Sequence, residues 1–152
     1  MLKIIHPVAG ALAILTIAIF WLSTALSELF ASQATVAVVK TAIPWGFILL
    51  IPALAAAGGS GITLAKGKRG KIIGAKLKRM PIIATNGLLI LIPAALFLAS
   101  KASAGEFDTI FYAVQVLELM AGLVNIILLS LNMYDGLTMT GRTVGRQPAN
   151  GA

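Results

Sequence analysis

An all-α, polytopic membrane fold is predicted by three observations on the sequence. Of its 152 residues, 59% are hydrophobic and 11% charged, with a mean hydropathy of +0.96, whereas about a quarter of a soluble domain is charged. The apolar residues fall into four runs, each long enough at about 1.5 Å per residue to cross a hydrocarbon core of about 30 Å. The links between the runs are short, which predicts four transmembrane helices in an up-down-up-down bundle over residues 1–134 and a polar tail over 135–152.

The first run, 4–27, has His6 as its only ionisable group. Its rival reading is a cleaved secretory leader with Lys3 ahead of the apolar stretch and small residues near Ala31 or Ala34. Such leaders carry an apolar stretch of only about 7–15 residues, so a retained helix is expected. Residues 28–40 read as a polar connection, with 35–41 as a helical lead-in and Pro44 opening the second span over 43–65. Trp45 stands where an interfacial anchor belongs, Pro52 predicts a kink, and AAAGGSG from Ala55 to Gly61 strips bulk from more than one face. Such a segment allows close helix packing or leaves room for a ligand.

Between the second and third spans, KGKRGKIIGAKLKR holds seven of the twelve basic residues: Lys66, Lys68, Arg69, Lys71, Lys76, Lys78 and Arg79. With this loop in the cytoplasm, Lys3, Arg142 and Arg146 join it, leaving Lys40 and Lys101 opposite. The positive-inside bias therefore predicts cytoplasmic N- and C-termini for a multi-pass protein of a plasma (inner) membrane. The net charge of +7 and pI near 10.2 are thus assigned to anionic lipid headgroups, at about 1 kcal/mol per residue near the surface, and not to nucleic acid. The third span, 81–100, has Pro81 in its first turn and Pro93 as a bend. Residues 101–109 connect it to the fourth, 110–134.

Polar groups inside these spans carry the functional readings. In the fourth, Gln115, Glu118, Gly122, Asn125, Leu129 and Asn132 recur at helical spacing on one face. A carboxylate at the bilayer centre costs about 2.5–3.5 kcal/mol on insertion scales, so Glu118 needs a partner. Hydroxyls of the first helix, Thr16, Ser23 and Thr24, would hold the bundle in register. The alternative makes Glu118, with Gln115 and Asn125, a proton or small-solute conduit.

A second group shares one depth near the cytoplasmic end: His6, Gly58, Gly59, Gly61, Met80 and Asn132. His6 and Met80 across small residues, with Arg79 and its neighbouring lysines facing propionates, is the chemistry of a His/Met haem b site. Read without a ligand, His6 anchors the helix at the interface and the glycines pack. Other classes are excluded: no cysteine means no disulfide, iron–sulfur cluster or c-type haem. One histidine and five scattered acids supply no metal motif, and no nucleophile triad or phosphate loop is spelled out. An enzyme is the less favoured class.

His6, Pro7, Ala9 and Gly10 form an HPxAG start; FWLST spans 20–24, and KRMP spans 78–81. On these motifs the chain resembles small four-helix bacterial integral membrane proteins of unassigned function. More loosely it is similar to membrane b-type cytochrome subunits, a resemblance that implies haem b. The function expected is a small membrane subunit or accessory protein, packing with other membrane chains or as a homo-oligomer.

Overall fold

The computed structural model describes residues 1–66 and 70–139, and these are all-α. The helices are α1 (Leu2–Phe30), α2 (Gln33–Ala65), α3 (Lys71–Asn86), α4 (Ile92–Ser103) and α5 (Thr109–Met139). A π-helical turn, Gly87–Leu91, joins α3 to α4, so Lys71–Ser103 is one continuous span. Four helices are therefore long and apolar enough to cross a membrane. Helical hydrogen bonding within each span satisfies the backbone where water is absent.

Two expected connections are helical. The link between α1 and α2 is only Ala31 and Ser32; Ser32 caps α2, its Oγ accepting from Thr35 N at 3.4 Å. Helix α2 thus starts well before Pro44, whose missing N–H leaves the Lys40 carbonyl without its usual partner. Residues 71–79 of the basic segment likewise form the first half of α3, with Pro81 inside the helix. In both cases apolar contacts on one face carry the helix through a proline that local propensity alone reads as a boundary.

Pro93 explains the wide turn. Its ring would crowd the carbonyl of Leu89 in a regular helix. The chain instead widens by one residue, Ile92 N reaching the Gly87 carbonyl. Asn125 Nδ2 lies 3.6 Å from the Cβ position of Gly87, an ordinary contact distance.

Helix α1 packs on α2 and α5, α2 also packs on α4, and α3 packs on α5. Contacts with α1 run backwards along α2: His6 meets Ala57–Gly61, Phe20 lies against Gly46, and Thr24 meets Lys40. Ala13, Ile17, Leu50, Ala53, Ile83 and Leu129 bring four helices to one core. Val36, Leu98, Ala102 and Phe111 form a second beside the 104–108 connection. Large apolar side chains cover the outside, among them Trp45 at 74% and Ile48 at 71% exposure, a surface suited to lipid.

Candidate functional site

The polar stripe of α5 is interior. Gln115, Asn125, Leu129 and Asn132 are buried, and Trp21 Cδ1 lies 3.1 Å from the Cβ position of Gly122 while its Nε1 donates to Leu119 O at 2.9 Å. Glu118, Asn125 and Asn132 are served by α2 and α3 at three levels along the bundle, whereas Gln115 makes no side-chain hydrogen bond among the described residues.

At the first level Lys40 Nζ donates to Glu118 Oε2 at 2.5 Å and to Thr24 Oγ1 at 3.4 Å. Lys40 is 1% exposed and the Glu118 side chain 12%. The partner of Glu118 is therefore a lysine expected in an outer connection, and Thr24 joins through that lysine. Thr16 instead donates back to Leu12 O. A signal for Lys40 exists in the sequence: Val36, Lys40 and Ile43 recur at helical spacing and all are buried on α2. Glu28 acts on Lys40 electrostatically. The Glu28 Oε1 and Gln115 Oε1 atoms are buried acceptors without a partner among the described residues.

At the second level Asn86 Nδ2 donates to Asn125 Oδ1 and to Ala121 O, both at 2.8 Å, while Asn125 Nδ2 donates to Ile83 O at 3.4 Å. Asn86 is a member that sequence reasoning missed, because it stands alone in an apolar run and follows no periodic polar pattern. At the third level Arg79 Nη1 donates to Asp135 Oδ2 at 2.6 Å and Asn132 Oδ1 at 3.3 Å. Asn132 Nδ2 in turn reaches Met80 Sδ at 3.6 Å.

His6 lies against the α2 glycine segment. Its Nδ1 is 2.9 Å from Ala57 O, which can only accept, so Nδ1 carries the hydrogen; Ser60 Oγ is 3.2 Å away. The ring fills the notch at Gly61, 3.0 Å from a Cβ position, and Met80 Cε fills that at Gly58, at 3.5 Å. These residues do not fit a haem: the room beside Gly58 and Gly61 is taken by the two side chains themselves. The Met80 sulfur is engaged by Asn132, and Arg79 is engaged by Asp135. Gly59 faces outward, with nothing within 4 Å of its Cβ position.

Two grooves mark the outer surface. One, about 320 Å³, runs between α1 and α2 along Leu12, Ile48 and Pro52. The other, about 470 Å³, lies between α3 and α5 and is lined by Pro81, Ile82, Thr85, Asn86, Ile90 and Val124. Neither is lined by Glu118, His6 or Met80. Of the basic segment, Lys66, Lys71 and Lys78 are exposed and Lys76 is half-buried. Lys68 and Arg69, like Arg142 and Arg146, lie outside the described residues. Among the described residues no group of three His, Asp or Glu side chains could hold a metal ion.

Comparison with known proteins finds no matching family model, no matching curated protein and no matching solved structure.

Proposed function

We propose that the chain is a structural or accessory subunit of the bacterial plasma membrane, packing with other membrane chains or with itself, its basic end resting on anionic lipid. The reverse order of the α1–α2 contacts and the lysine and arginine bias support an up-down-up-down bundle with cytoplasmic termini.

One observation carries the reading. The AAAGGSG segment divides its small residues between two faces: Ala57, Ser60 and Gly61 turn inward onto His6, while Ala55 and Gly59 are exposed one turn apart. An outward small-xxx-small pair on a membrane helix lets another backbone approach closely. The interior polar groups meanwhile find most of their partners within the chain, as packing requires and as an access pathway does not. The oligomeric state tests this. Native mass spectrometry in mild detergent should show a homo-oligomer or a co-purifying membrane chain, and Gly59→Leu should dissociate it. A wild-type chain that is monomeric and without a partner counts against the proposal.

A further inference from the structure

We propose that the groove between α3 and α5 binds one anionic phospholipid, with its phosphate on Lys71 and Lys78 and an acyl chain along Ile82, Ile90 and Val124. This rests on the reading that the basic end meets an anionic membrane surface, and it adds a defined site to that general attraction.

Lys71, Lys78, Ile82 and Thr85 succeed one another at spacings of seven, four and three, so they share one face of α3. Both lysines are exposed and make no ion pair among the described residues, unlike Arg79, which Asp135 holds. Lys78 stands one turn above the groove, and a lysine stem extends along apolar surface while its ammonium seeks a polar layer. The charge is thus placed where a headgroup would sit above a chain lying in the groove.

The groove has the matching chemistry. Ile82, Ile90 and Val124 are 53%, 36% and 45% exposed, and the widened turn at Gly87–Leu91 forms part of its wall. Thr85 adds a specific polar contact. Thr16, Thr41, Thr63 and Thr138 all donate back to their own helix, yet the Thr85 hydroxyl has no partner among the described residues. A donor left bare in hydrocarbon is costly. The glycerol-ester region of a phospholipid, which adjoins its phosphate, would supply an acceptor for it.

The test uses the full chain in mild detergent, titrated with phosphatidylglycerol or phosphatidylcholine and read by native mass spectrometry. One phosphatidylglycerol per chain should be retained in preference to phosphatidylcholine. Lys71→Gln and Lys78→Gln should each weaken it about fivefold, Thr85→Val about threefold, and Val124→Phe, which fills the groove, should abolish the one-to-one complex. Lys3→Gln should leave it unchanged, and equal melting temperatures would show that the variants fold. A preference that survives both Val124→Phe and Thr85→Val overturns the site while leaving the basic-end reading standing. A wild type indifferent to lipid charge overturns both, and a second copy cross-linking through Val124 in place of lipid overturns the site.

Discussion

Lys40 and Glu118 show most directly how this chain places charge in an apolar interior. Each is costly alone in hydrocarbon, and the pair is held by facing positions on α2 and α5, with Thr24 Oγ1 accepting a further hydrogen bond from the ammonium. Removing one member leaves the other buried without a counter-charge. Lys40→Met should therefore lower stability by about 3–5 kcal/mol, while Lys40→Met combined with Glu118→Leu should recover most of the loss. Denaturant titration in detergent measures both, and equal instability of single and double variants would refute the pairing argument. That Glu118 needs a partner was legible from its place in an apolar run. That the partner is Lys40 was not, because Pro44 and the neighbouring polar residues disguise this stretch as a connection.

At the scale of elements, the helix ends are set by short-range chemistry. Asp108 opens α5: its Oδ1 accepts from Phe111 N at 2.8 Å, and its Oδ2 accepts from Lys101 Nζ at 2.6 Å. The lysine first, and the backbone N–H second, hold its carboxyl below the usual carboxylate range. A carboxyl depressed in the folded state contributes stability that is present above its unfolded value and lost as pH falls through the folded one. Asp108→Ala should thus lower the melting temperature at neutral pH and have a smaller effect in acid, whereas Asp108→Asn should keep the cap and lose only the charge effect. A melting curve for Asp108→Ala that coincides with wild type at neutral pH would contradict this. Within the third span, the wide turn before Pro93 aligns Asn86 with Asn125. Pro93 announces a bend; the form that it takes is a π turn in which Ile92 N bonds the Gly87 carbonyl.

For the whole molecule, the asymmetry of basic residues is the strongest statement about orientation. The chain has no cysteine, so single cysteines at Lys3 and Ala104 report sidedness cleanly. A membrane-impermeant maleimide added outside intact spheroplasts should label Ala104→Cys and spare Lys3→Cys. Reversed labelling would turn the bundle over and move the basic end to the opposite leaflet.

By itself the sequence determined that there are four apolar spans, that basic charge gathers at one end, and that one face of the last helix is polar. Each of these depends on residues adjacent along the chain or within a few turns of one another, so hydropathy and helical periodicity suffice. Tertiary structure alone decided which helix answers that polar face at each level: Lys40 for Glu118, Asn86 for Asn125, Arg79 and Met80 for Asn132. It also turned Gly58 and Gly61 from room for a cofactor into notches filled by Met80 and His6. These pairings join residues from 22 (Gly58 to Met80) to 78 (Lys40 to Glu118) positions apart, where only the packing of whole helices determines what meets.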